Sequence, residues 1–174
     1  MPETPTPLTH TVRSNTTPPA FWTQDTLSHV LVSGEDTGGA MTVLEQLMPK
    51  GIGPPPHVHE RLLECFFVLE GEIKYQVGDA IVIGKQGDAV AIPPWTTHAF
   101  KVRSEVARVL DMYTPGGFDE WIAMLGVPAQ PQTLPPEGAV RDPAPEQEAF
   151  ARRVEQLATQ RWAPEEPDLS AWDG

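Results

Sequence analysis

The chain has 174 residues, with 24 acidic against 12 basic side chains and a formal net charge of −12. That balance argues against nucleic acid, whose phosphates need clustered Lys and Arg, and against an anionic membrane surface. An apolar content of 40% over this length suffices for a buried core, and the one cysteine, Cys65, excludes an intrachain disulfide.

Residues 1–20 are rich in Thr and Pro, with neither a basic stretch nor an apolar core. They read as a flexible N-terminal arm and not as a signal peptide. Apolar runs reach only about five residues, too short for a bilayer span, so a soluble, cytoplasmic protein is expected. From 21 to 115 the sequence reads as one β-domain. Strands are predicted at 28–33, 40–48, 56–60, 64–70, 72–77, 80–83, 89–92, 97–103 and 106–113. The glycine breaks between them (among them Gly34, Gly51, Gly71, Gly78 and Gly87) have the spacing of an all-β sandwich or barrel.

Alternation assigns some faces. Along 64–70, Glu64, Phe66 and Val68 share one face and Cys65, Phe67 and Leu69 the other. Both faces are apolar apart from Glu64, which predicts a central strand with Cys65 as a small buried residue. Along 72–77, Ile73, Tyr75 and Val77 alternate with Lys74 and Gln76, so one side meets solvent. Along 97–103, His98, Phe100 and Val102 alternate with Lys101 and Arg103, which puts His98 on the buried face. The pattern selects no face for 40–48 or 106–113.

Residues 117–125 place Phe118, Trp121, Ile122 and Leu125 on one helical stripe. Asp119 and Glu120 lie in the first turn, Gly126 fits the C-cap and Pro128 a stop. This short helix, within 116–128, is expected to pack on the barrel. Residues 129–174 read as a Pro-rich connector followed by a C-terminal helix and tail. The helix is predicted over 143–161, with Phe150, Val154, Leu157 and Ala158 on one stripe, Asp142 as cap and Pro143 at the first position. Its stripe needs cover from its own barrel or from a second subunit.

The chemistry concentrates in Gly51-Ile-Gly-Pro-Pro-Pro-His57-Val-His59-Glu-Arg-Leu-Leu-Glu64, followed by His98. His57 and His59, two apart on a strand, point to one face. Three imidazoles and a carboxylate are the donor set of a transition-metal site, and four donors leave open the positions that a catalytic metal needs. Pro54-Pro55-Pro56 stiffens the approach to His57. Glu60 is an alternative carboxylate, but it points away from the face of His59. His10 and His29 have no such neighbours.

These residues resemble the cupin superfamily. Residues 51–71 read Gly-x5-His-x-His-x4-Glu-x6-Gly, the first cupin motif at every fixed position. Residues 87–102 read Gly-x5-Pro-x-Trp-x2-His-x3-Val, similar to the second motif, with Trp95 where glycine is usual and Val102 where asparagine is usual. A tryptophan enters left-handed backbone less cheaply than glycine, so the departure at Trp95 bears on this turn. The segment 114–129, with its Pro-Gly-Gly turn, short aromatic helix and Gly-x-Pro stop, resembles the tail of single-domain bacterial quercetin dioxygenase-like cupins.

The resemblance implies an all-β cupin double-stranded β-helix, a jelly-roll barrel over 21–115. It also implies one divalent transition metal per chain (Fe, Ni, Mn, Co, Cu or Zn) held by His57, His59, Glu64 and His98. The activity it implies is a quercetin 2,3-dioxygenase-like cleavage of a flavonol or other small enol or phenol with O2, with Glu64 as ligand and base. Phe66, Trp95, Phe100, Phe118 and Trp121 are the candidates for an apolar wall around a flat substrate. The alternatives are a non-oxidative metal-dependent isomerase, lyase or hydrolase, and a non-catalytic small-molecule-binding cupin, since a fold does not fix a function. Small cupins are often dimers, so a homodimer is expected from the resemblance.

Overall fold

The computed structural model of the protein describes residues 18–139 and the backbone of residues 160–162. The strands in chain order are β1 (Ala20–Thr23), β2 (Thr26–Val32), β3 (Thr42–Pro49), β4 (His57–His59), β5 (Leu63–Glu70), β6 (Glu72–Val77), β7 (Ala80–Lys85), β8 (Ala89–Ile92), β9 (His98–Val102), β10 (Val106–Thr114), β11 (Val127–Pro128) and β12 (Gln160–Trp162), with the helix α1 (Phe118–Leu125) between β10 and β11. They form a seven-stranded sheet, β11-β1-β2-β3-β10-β5-β8, and a five-stranded sheet, β12-β4-β9-β6-β7. This is the jelly-roll barrel expected from the motifs. Among the described residues, no helix is long and apolar enough to cross a membrane.

The main core lies between the sheets. Met48, Phe66, Val68, Ile92, Ala107 and Val109 of the large sheet pack against Ile73, Tyr75 and Val102 of the small one. A second cluster, including Val30, Leu44, Leu62, Tyr113, Phe118 and Ile122, seats α1 over one end of the barrel. Asp119, in the first turn of that helix, anchors it. Its Oδ1 accepts from the Gly34 N–H at 2.9 Å and from the Thr42 hydroxyl at 2.6 Å.

Several expectations shift. The 1–20 arm ends early, because Ala20 belongs to β1; residues 1–17 lie outside the described residues. The β1–β2 hairpin escaped notice because its two-residue loop is Gln24-Asp25, with Gln24 at φ +50°, where glycine or asparagine is the usual signal. The connector after α1 is not free-standing: β11 pairs with β1, and the Trp22 indole N–H donates to the Thr133 carbonyl at 2.7 Å. The predicted helix 143–161 lies outside the described residues except at its end, where Gln160–Trp162 is a strand paired with β4.

Strand β5 does have neighbours on both sides, β10 and β8. Only its Glu64, Phe66 and Val68 face is buried, however. Phe67 and Leu63 on the other face are exposed and Cys65 is half-buried, so the chain's own barrel covers one face of this strand. Lys74, expected in solvent, is largely buried.

Candidate metal centre

Strands β4 and β9 are antiparallel neighbours with His57 directly opposite His98. Opposed residues share a face, and these two rings sit 4.1 Å apart between centroids. His59, two residues along β4, is on the same inward face, and all three imidazoles are buried. Glu64 comes from β5, in the other sheet. The four donors therefore come from both sheets, the carboxylate reaching the imidazoles across the barrel. Each of the four residues offers one ligand atom, and these atoms all lie within 4.8 Å of one another. Glu60 is not in the cluster.

Local backbone bonds orient two of the rings. His57 Nδ1 is 3.0 Å from the Pro55 carbonyl and His98 Nδ1 is 2.9 Å from that of Thr96. A carbonyl only accepts, so Nδ1 carries the proton in each ring and Nε2 keeps its lone pair. Glu64 Oε2 lies 2.9 Å from His98 Nε2 and 3.4 Å from His59 Nε2. Among the described residues, neither Glu64 Oε2 nor His98 Nε2 has a hydrogen-bond partner, although both are buried. Buried donor atoms crowded together without a mutual hydrogen bond fit a cation between them, so the donor set suits a divalent transition metal.

Charge follows burial. His57 is pushed down to about 4, by burial first and then by His98, so its lone pair is available at neutral pH. Burial would raise the Glu64 carboxyl, but the imidazoles of His59 and His98 beside it hold it well below the ordinary carboxylate range. His98 is depressed by burial but raised on balance by Glu64.

The approach to the site is fixed by backbone. A Cβ on Gly53 would collide with the Phe100 carbonyl oxygen, so only glycine lets the 51–56 segment run this close to β9. Trp95 adopts φ +65°, a left-handed conformation at the position where glycine is usual. Its N–H donates to the His59 carbonyl at 2.8 Å, tying the Pro93-Pro94 turn to β4.

A cavity of about 80 Å³ opens beside the cluster, lined in part by His57, His59 and Glu64. Three of the five aromatic candidates line it: Phe100, Phe118 and Trp121. Phe66 does not; it is fully buried behind Phe100, with ring centroids 5.3 Å apart. Trp95 does not either, being 62% exposed. The wall is also less apolar than expected, since Thr23, Thr26, Gln46, Asp111 and Tyr113 form part of it.

Asp111 and Tyr113 were missed because the pattern sets no inward face for β10. The structure turns Ala107, Val109, Asp111 and Tyr113 inward. A signal did exist: Asp111 stands alone in the apolar run Val-Leu-Asp-Met-Tyr, as Glu64 does in its own strand. The Tyr113 hydroxyl is 2.6 Å from Asp111 Oδ2 and 3.0 Å from Glu64 Oε1. It has one proton, so it donates to one carboxyl and accepts from the other. Burial, then the charge of Glu64, raises Asp111 well above the usual carboxylate range. Asp111 therefore holds the proton and donates it to Tyr113, which donates to the ionised Glu64. Tyr113 in turn stacks on Phe118 (3.9 Å, 15°), and Phe118 on Trp121 (4.9 Å, 22°).

Residues 43–113 match the family described as Cupin domain. Over 115 residues the chain is 27% identical to quercetin 2,3-dioxygenase of Bacillus subtilis (strain 168), covering 66% of this chain and 34% of that protein. It is 28% identical over 112 residues to quercetin 2,3-dioxygenase of Aspergillus japonicus, covering 60% and 32%. The chain thus spans about a third of the length of either curated relative. Among solved structures, a protein from Thermotoga maritima titled a predicted oxalate decarboxylase superposes with a TM-score of 0.54 at 20% identity, covering 61% of this chain and 99% of that one. KdgF from Halomonas sp. superposes with a TM-score of 0.51 at 18% identity, covering 56% and 86%. These two share the fold.

Proposed function

We propose that the protein, whose residues 43–113 match the Cupin domain family, is a metal-dependent dioxygenase of the quercetin 2,3-dioxygenase type. His57, His59, Glu64 and His98 hold one divalent transition metal, with Fe, Ni, Mn, Co, Cu and Zn all compatible with the donors. The observation that carries this reading is the buried four-donor cluster opening into a cavity walled by Phe100, Phe118 and Trp121. A metal bound there would supply Lewis acidity to an oxygen of the substrate.

The chain's own residues do the rest. Glu64 accepts the proton of the substrate's enolic or phenolic hydroxyl, and its Oε1 is fixed by Tyr113 so that the carboxylate keeps one orientation. Phe118 and Trp121 cover the cavity and limit the entry of water. The size of the cavity narrows the substrate. About 80 Å³ is small beside the roughly 300–1,000 Å³ of sites for drug-sized ligands, which favours a single-ring enol or phenol over a three-ring flavonol.

A second reading, a non-oxidative isomerase, lyase or hydrolase, is favoured by one feature. The Asp111–Tyr113–Glu64 chain is a proton relay that acid–base chemistry could use without O2. Elemental analysis of purified protein, followed by oxygen-electrode measurements with single-ring enols, phenols and flavonols, separates the readings. Uptake of O2 in step with substrate loss is the expected result. Conversion without uptake replaces the dioxygenase by the second reading. Bound metal and ligand without turnover leaves a binding cupin.

A cytoplasmic homodimer remains part of the proposal. In a chain of net charge −12, two copies repel except through uncharged surface. The outward face of β5 is such a surface: Leu63 and Phe67 are exposed there, beside Leu110 and Met112 of β10. Sedimentation of wild type and Phe67→Glu tests it, with a monomeric variant expected.

A further inference from the structure

Apart from atoms of the four-donor cluster itself, the cavity wall contains two buried polar atoms without a partner among the described residues: the carboxyl oxygen Asp111 Oδ1 and the indole nitrogen Trp121 Nε1. Most buried polar groups in folded proteins are paired, and one that is not calls for an explanation. Neither atom can turn away without loss. Asp111 is fixed through Oδ2 by the Tyr113 hydroxyl at 2.6 Å. Trp121 is fixed by its stack on Phe118, which stacks on the same tyrosine. The two atoms are thus held by the network that reaches Glu64. Their roles are complementary, because an indole nitrogen only donates, while Asp111 Oδ1 accepts when Oδ2 carries the proton to Tyr113.

We propose that Asp111 and Trp121 are the substrate-orienting residues of this cavity, Asp111 Oδ1 accepting from a hydroxyl of the substrate and Trp121 Nε1 donating to one of its oxygens. The substrate class that fits is a small, single-ring enol or phenol bearing a further hydroxyl, rather than one with a hydrocarbon edge. The inference rests on the reading of the cavity as the substrate site of the metal centre. It explains why a wall with Phe100 and Phe118 also keeps polar atoms unpaired: each meets its partner when the substrate enters, and an analogue lacking the hydroxyl leaves Asp111 unpaired.

The test uses the full chain loaded with zinc, which is redox-inert, and two single-ring enolic ketones as probes. Kojic acid carries an additional hydroxymethyl group; allomaltol carries a methyl group at the same ring position. Calorimetry on wild type should show kojic acid bound about tenfold more tightly than allomaltol, the scale of one hydrogen bond to a buried unpaired group. Asp111→Leu should bring that ratio to within about twofold, while Trp121→Phe should weaken both probes by several-fold, with zinc content unchanged in each. A second readout separates recognition from structure: Trp121→Phe removes an unpaired N–H, so the Tm of the ligand-free protein should stay level or rise. Equal affinity of the two probes for wild type overturns the inference, as does a ratio unchanged in Asp111→Leu, or unchanged affinities or a lowered Tm with intact binding in Trp121→Phe. Failure of wild type to bind either probe overturns instead the enol-binding reading on which the inference rests.

Discussion

The two sheets build the site from opposite kinds of sequence signal. The small sheet supplies His57, His59 and His98 from β4 and β9, at spacings that mark them in the bare sequence. The large sheet supplies Glu64 from β5, but also Asp111 and Tyr113 from β10 and Gln46 from β3, the two strands for which alternation selects no face. The reason is the same in both strands. Their inward positions mix core residues with polar ones: Thr42, Leu44, Gln46 and Met48 on β3, and Ala107, Val109, Asp111 and Tyr113 on β10. Hydrophobic periodicity finds walls that only pack. It fails at a wall that also binds, because binding puts polar atoms where the pattern expects apolar ones.

If the small sheet supplies three of the four donors and β10 of the large sheet only steadies the fourth, changes in the two should separate. The largest effect is expected for His57→Ala or His98→Ala, which should strip most of the metal, at least about tenfold in affinity, while leaving the barrel folded. Elemental analysis with circular dichroism checks this, and full occupancy in both variants removes the ligand assignment. Tyr113→Phe, in the large sheet, should do the reverse. Metal content should hold, but Glu64 Oε1 and Asp111 Oδ2 lose their shared partner, at a cost of about 1–3 kcal/mol in urea unfolding.

The same division appears in pH. Burial, and then the charge of Glu64, raises the folded-state pKa of Asp111 above its unfolded value. The stability Asp111 contributes is therefore complete below about pH 4, near the unfolded pKa, and is lost as pH rises toward the raised folded value. Glu64 has the opposite sign. Its contribution is lost only as pH falls through its depressed folded pKa and is complete above its unfolded pKa of about 4.3. The depressed His57 contributes the opposite slope between about pH 4 and 6.5, so the Tm of metal-free protein should fall with rising pH above about pH 6.5, and Asp111→Asn should make that slope shallower. An unchanged slope would show that the β10 carboxyl is not the group held neutral. The smallest effect is expected at Trp95→Gly, which removes the left-handed cost of a large residue, roughly 1–2 kcal/mol, against the greater chain entropy of glycine. A net gain of about 1 kcal/mol or less in the urea midpoint is expected, with metal content unaffected.

The sequence by itself determined an all-β domain, most of its strands, the buried phase of His98 and the four candidate donors, because each depends on local spacing: two residues along a strand, a turn at a glycine, an isolated carboxylate in an apolar run. It also marked Trp95 as a departure from the glycine usual at that turn. Tertiary structure alone decided that Glu64 reaches the imidazoles from the opposing sheet and that Phe66 packs behind Phe100 instead of lining the cavity. It alone decided too that Trp95 faces outward while Asp111 and Tyr113 face in. These are relations between strands far apart in the chain, set by how two twisted sheets close on one another, and no periodicity within a single strand encodes them.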